Sequence, residues 1–100
     1  MEIEITQEGN TVRAVFDGHF DTAAAEAATP RFNELNERAD KEIVLDFTRL
    51  EYISSSGLRL LIGLRKNCAA RGGKVIIEGM NDMVRGVFTM TGFSSLFEIK

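Results

Sequence analysis

Apolar and polar residues alternate at the start of the chain. Ile3 and Ile5 sit between Glu2, Glu4 and Thr6, and Val12, Ala14 and Phe16 repeat the pattern. A period of two marks strands with one buried face, and Gln7-Glu8-Gly9-Asn10 between the runs supplies a turn, so the spacing predicts an opening hairpin. From Thr22 a run of alanines and glutamates favours helix, with Asp21 or Thr22 as its cap. Pro30, the only proline, falls inside that run and either kinks the helix or starts a second one capped by Thr29. Glu42 to Phe47 is nearly continuous apolar sequence, the pattern of a strand buried on both faces.

From Leu58 to Arg71 the period changes to that of a helix. Leu58, Leu61, Ile62, Cys68 and Ala69 fall near one stripe, extended by Leu64, with Arg59, Arg65, Lys66 and Asn67 mostly outside it. Gly63 within this run reads as a site of close helix–sheet packing. Gly72-Gly73 ends the helix, and Lys74 to Glu78 is a further strand. Asn81 then caps a helix in which Met83, Val84, Val87 and Phe88 recur at helical spacing. The spacing places Met80, Met83 and Met90 in the core rather than in an adaptable binding groove. Gly92 stops the helix, Phe93 is placed to fold back on it, and Leu96 to Ile99 forms a last strand. The order is β-β-α-β-α-β-α-β. Alternation after residue 40 implies parallel pairing through right-handed crossovers, with helices covering the sheet. The expected fold is one α/β domain over residues 1–100, with a mixed, mostly parallel sheet of about five strands.

Composition narrows the function. One hundred residues, 44% hydrophobic and 27% charged, suit a single globular core. A net charge of −3 opposes nucleic-acid binding, which needs a concentrated basic face. The one close basic group, Arg65-Lys66 with Arg71 and Lys74, reads as the solvated face and last turn of a helix. Cys68 is the only cysteine, so no internal disulfide forms, and its place on an apolar stripe makes it a buried small hydrophobe. A reducing cytoplasm is the expected compartment. No run is long and apolar enough to insert in a bilayer, and the chain opens directly in strand pattern rather than in a signal peptide.

Candidate chemistry concentrates at Ser54-Ser55-Ser56-Gly57, where a strand hands over to a helix. The first N–H groups of a helix lack intrahelical partners and its dipole is positive there, so a hydroxyl can cap the helix and a phosphate is well received. Catalysis finds little support. The Gly-x-Ser-x-Gly pattern of a nucleophile elbow is absent, and His19, the only histidine, reads as a surface or hydrogen-bonding residue. One histidine and one cysteine leave zinc short of ligands, and Asp17, Asp21 and Asp46 at strand ends read as caps and turn formers rather than a magnesium site. Neither a dinucleotide fingerprint nor a Walker pattern occurs, so no cofactor is expected.

The segment Tyr52-Ile53-Ser54-Ser55-Ser56-Gly57-Leu58-Arg59-Leu60-Leu61 resembles the signature of the STAS family, the domain of bacterial anti-sigma factor antagonists and sulfate transporter tails. Asp17-Gly18-His19-Phe20-Asp21 resembles the segment before that family's first helix, and Ile43-Val44-Leu45-Asp46-Phe47 its central strand. Gly72-Gly73-Lys74, and Val84 to Phe88 with Met90-Thr91-Gly92-Phe93, match in the same order, so the resemblance spans nearly the whole chain. It implies a non-enzymatic module that binds an anti-sigma factor with serine kinase activity. The partner supplies ATP, and a phosphatase reverses the modification. The implied phosphoacceptor is Ser55, with Ser56 and Ser54 as alternatives. Asp21, Ser54, Ser55, Ser56, Gly57 and Arg59 are the implied partner-binding residues. Ser54 departs from the family pattern, which usually has Asp there. The alternative within the same fold is an unphosphorylated scaffold subunit of a lipid transporter or a signalling complex. A small serine hydrolase is the third reading.

Overall fold

Ile3, Ile5, Val12, Ala14 and Phe16 lie on one side of a hairpin formed by β1 (Glu2–Glu8) and β2 (Thr11–Phe20), and that side meets the core. Gly9, the first of the two loop residues, carries the positive φ of 59° that primed hairpin turns require. The structure, a computed structural model, describes residues 1–100. α1 (Thr22–Glu37), β3 (Glu42–Ile53), α2 (Ser55–Arg71), β4 (Lys74–Glu78), α3 (Asp82–Thr91), a short 3-10 turn (Phe93–Leu96) and β5 (Glu98–Ile99) follow. The five strands lie in sequence order, β1-β2-β3-β4-β5, with β1 antiparallel to β2 and all later pairs parallel. The expected mixed, mostly parallel sheet is therefore present.

Strand order explains the layering. Right-handed crossovers that always step in one direction put every helix on the same face. Ile43, Leu45, Phe47, Val75 and Ile77 point to that face and share one core with Ala25, Phe32, Leu61, Leu64, Val84 and Phe88. Phe16 is its aromatic centre, with ring centroids 5.7 Å from Phe20, 6.0 Å from Phe32 and 5.1 Å from Phe47. β3 is buried on both faces at its centre, as its apolar run implies, but helices cover only one of them. Val44 and Ile76, directly paired on the other face, are buried but belong to no helix-covered core. Arg13 stands beside Val44 on that face. From β2 its guanidinium reaches Asp46 Oδ2 on β3 at 3.1 Å and Glu78 Oε1 on β4 at 2.7 Å. Its apolar stem can thus cover aliphatic surface while its charge stays at the rim.

One open alternative is decided at Pro30, and the expectations for Gly63, Met83 and Met90 change. Pro30 neither divides α1 nor starts a new helix; it sits exposed within one continuous helix and gives up one backbone donor there. Gly63 faces solvent, and a Cβ built on it meets nothing within 4 Å, so it serves no close packing. Met80 is in the core, but Met83 and Met90 are 61% and 88% exposed. They are two turns apart on one side of α3, about a hundred degrees round from Val84, outside the buried stripe. Gly72 ends α2 with φ of 83°, and Gly73 follows where any Cβ would strike the carbonyl oxygen of Ala39. Arg71 donates to the carbonyls of Asn36 and Glu37, giving the end of α1 the cation its own last turn lacks.

Candidate functional site

β2, β3 and β4 each hand over to a helix through a side-chain cap. Asp21 accepts from the Ala24 N–H at 2.8 Å at the start of α1, and Asn81 from the Val84 N–H at 2.8 Å at the start of α3. At α2 the cap is Ser54, whose backbone is extended (φ −91°, ψ 169°) and whose Oγ accepts from the Gly57 N–H at 3.2 Å. Three helix N-termini thus converge at one end of the sheet, where open α/β folds place their working loops. The loops are tied to one another. The Ser54 N–H donates to the Phe20 carbonyl at 2.8 Å, next to Asp21, and the Asn81 amide donates to the Leu50 carbonyl at 3.1 Å.

The three serines do different work. Ser54 is buried and spent on the cap. Ser55 is the first residue of α2, exposed, and its hydroxyl makes no hydrogen bond within the chain. Ser56 is half-buried. Gly57 is buried beneath them, where a Cβ would lie 3.1 Å from both Ile53 and the Phe20 ring. The glycine lets the first turn of α2 sit down on the core, which holds the loop in register. Of the six residues the resemblance implied for partner binding, Asp21, Ser55 and Arg59 are exposed and Ser56 is half-exposed. Ser54 and Gly57 lie beneath and shape that surface.

One turn along α2 from Ser55, Arg59 is exposed and takes part in no ion pair. Between α2 and the end of α3 runs a groove of about 300 Å³ lined by Ser55, Leu58, Arg59, Ile62, Thr91 and Phe93. Exposed Met90 is next in the chain to Thr91. The pattern of the chain does not single out Thr91 and Phe93 for this role, because they meet α2 only through the tertiary fold. Tyr52, 40% exposed, stands beside His19 in the β2–β3 register, and His19 bonds Glu51.

The acids weighed for a metal go separate ways. Asp21 caps α1, Asp17 lies 3.6 Å from Arg49, and Asp46 binds Arg13 on the open sheet face. Burial alone would raise the Asp46 pKa, but hydrogen bonds from Thr48 and the Arg13 charge outweigh it and hold the carboxyl below its ordinary value. The same cluster raises Arg13, chiefly through its bond to Glu78. Cys68 is buried as expected, and burial pushes its thiol upward against a smaller opposing pull from Arg71. No helix is long and apolar enough to cross a membrane.

Comparison with known proteins bears on this geometry. The chain is 28% identical over 99 residues to BtrV of Bordetella bronchiseptica, named as a candidate anti-sigma factor antagonist, covering 99% of this chain and 85% of that one. A candidate anti-sigma factor antagonist of Thermotoga maritima superposes with a TM-score of 0.86 at 21% identity, over 97% of this chain and 84% of that one. The Bacillus cell-fate determinant SpoIIAA, solved in its phosphorylated form, superposes with a TM-score of 0.74 at 22% identity, over 99% and 91%. These two structures share the fold. The model of the STAS domain matches residues 2–100, and the chain belongs to that family.

Proposed function

We propose that this chain is an anti-sigma factor antagonist that docks through its serine loop on an anti-sigma factor with serine kinase activity and is released when Ser55 is phosphorylated. The observation that carries the reading is the division between neighbouring hydroxyls. Ser54 is buried and spent on the helix cap, whereas Ser55 is exposed, unbonded and first in the helix. The names of the relatives support it, as does the phosphorylated form of a protein with the same fold. The chain needs no catalytic group of its own, since the kinase brings ATP and the base. The setting is the cytoplasm, where ATP is available, and a phosphatase resets the switch.

A phosphate on Ser55 adds close to two negative charges. Helix geometry leaves the Ser55 and Ser56 N–H groups without intrahelical acceptors, and the dipole favours an anion there. Arg59, one turn on and unpaired, is within the i,i+4 spacing of a charge-assisted bond. The fold therefore tolerates the modification, and its effect falls on the surface formed by Asp21, Ser55, Ser56, Arg59 and the adjoining groove. A docking penalty of about 3 kcal/mol weakens binding roughly a hundredfold.

The test uses the purified kinase of the same organism with ATP. Mass spectrometry is expected to find one phosphate, on Ser55. Ser55→Ala is expected to abolish it while keeping partner affinity, and Ser55→Asp to weaken affinity. Equal binding by both variants rejects the switch. A constitutive scaffold would then stand, a reading favoured by one feature: Ser54 leaves the loop without the acid usual beside the acceptor.

A further inference from the structure

The flank of the sheet at β1 is unfinished. β1 is the outer strand, so alternate peptide groups between Glu2 and Glu8 turn their N–H and C=O away from β2 with no strand to receive them. The helix layer also stops short here. Between α1 and β1 lies a trough of about 550 Å³ lined by Ile3, Ile5, Ala24, Ala27, Ala28 and Arg31, with Glu2 and Glu4 of β1 along its rim. The alanines keep this flank of α1 low, and Ile5 and Ala24 are left only half-buried by their own fold. The alternate positions of β1 are Glu2, Glu4 and Glu8, all exposed, with Glu2 and Glu4 also bordering the trough, and none of them takes part in an ion pair.

We propose that this edge receives an extended segment of a partner protein in which apolar and basic residues alternate, laid along β1 as an additional strand. The strand period sends successive side chains to opposite faces, so one pattern serves both surfaces. Apolar side chains enter the trough over Ile3, Ile5 and Ala24, and basic ones stand over Glu2, Glu4 and Glu8. A second copy of β1 is the wrong occupant, because it would set acids against acids across the new pair. Protection of the edge against self-association accounts for the acids alone and leaves the trough without a role. The surface lies two strands from the point where Ser54 leaves β3, so it serves a contact separate from docking at the serine loop.

The experiment titrates the isotopically labelled full chain with an end-blocked heptapeptide of alternating lysine and valine. Controls are a glutamate–valine counterpart and a peptide of the same composition in two blocks. The alternating basic peptide is expected to slow hydrogen exchange of amides within Glu2–Glu8 and to shift Ala24, Ala27 and Ala28. Ala27→Phe, which fills the trough from an exposed position, is expected to weaken binding at least tenfold. Glu4→Lys, also exposed, is expected to reduce the preference for the basic peptide over the acidic one. Three results each overturn the proposal: no protection of β1 at millimolar peptide, equal affinity for the block peptide, or unchanged affinity in Ala27→Phe. Thermal melts accompany both variants, and if Ala27→Phe melts early the two control peptides and Glu4→Lys decide.

Discussion

Replacing Ser54 by alanine removes the hydroxyl that accepts from the Gly57 N–H at 3.2 Å and leaves that donor facing a buried site. Loss of a serine cap costs about 1 kcal/mol, within a range of roughly 0.5–2. A buried donor left without an acceptor costs about 1–3 kcal/mol. The bond is at the long end of the usual range, so the two estimates meet at about 1–2 kcal/mol. Ser55→Ala removes an exposed hydroxyl with no partner and introduces a better helix former, so its effect stays within about 0.5 kcal/mol of zero. In a domain of this size each kcal/mol moves the midpoint of thermal unfolding by roughly 4–8 °C, which separates the variants clearly. The chain has no tryptophan, so far-UV circular dichroism is the suitable probe, in urea and on heating. Equal losses for the two variants, or a greater loss for Ser55→Ala, would refute the assignment of the cap to Ser54.

Gly63→Ala is expected to stabilise the protein by about 0.5–1 kcal/mol, since the site is exposed, mid-helix and open to a Cβ. Gly57→Ala is expected to destabilise it by about 1–3 kcal/mol through crowding against Ile53 and Phe20, and urea midpoints check both signs. Asp46 has a pKa lowered in the fold, so its stabilisation is present above the unfolded-state value near ~3.9 and is lost as pH falls through the lower folded value. Asp46→Asn is therefore expected to cost less than about 1 kcal/mol at neutral pH, with the gap closing in acid. A gap in melting temperature that persists to the lowest pH tested argues against this pairing. Cys68, buried with its thiol pushed upward, is expected to resist a disulfide reagent in the native protein and to react fully in guanidinium. Fast native labelling would contradict the burial.

The elements were legible wherever a local rule decided them. Alternation in Ile3 to Phe16 marked the hairpin, and Asp21, Asn81 and Gly72 marked helix ends because caps act on neighbours a few residues away. The apolar run predicts β3 only as far as Phe47, yet the strand continues to Ile53. Thr48 and Arg49 interrupt its apolar pattern, and the ladder continues because β2 shifts register between Val15 and Asp17 and again between Gly18 and His19. Met83 and Met90 were misplaced because helical spacing says which residues share a face, while the partner layer says which face is buried. The site was legible as an address. Which hydroxyl caps α2 was not, since Ser54, Ser55 and Ser56 are each chemically able to do so. Backbone geometry at Ser54 and burial of Gly57 against Phe20 make the choice, and both depend on a strand far away in sequence.

That choice bears on how the proposed switch at this loop would work. With a neutral residue as the cap, the charges flanking the acceptor are Asp21, engaged at α1, and Arg59, unpaired. Before modification these two balance. A phosphate on Ser55 takes the local sum to about −2 and offers Arg59 a partner on its own helix. In the proposed switch one event would alter the docking surface twice: an anion arrives at the mouth of the groove, and a cation that a partner could have used is drawn toward it. Neither change disturbs the cap, because the Ser54 hydroxyl lies beneath the surface. Under that proposal the fold holds its shape while its exposed face goes from neutral to negative. An acid at the cap position would make the resting loop negative already, so that a phosphate would deepen a charge rather than create one. In the proposed switch the serine therefore gives a loop that is neutral at rest and negative once modified, without the acid that the family pattern sets beside the acceptor.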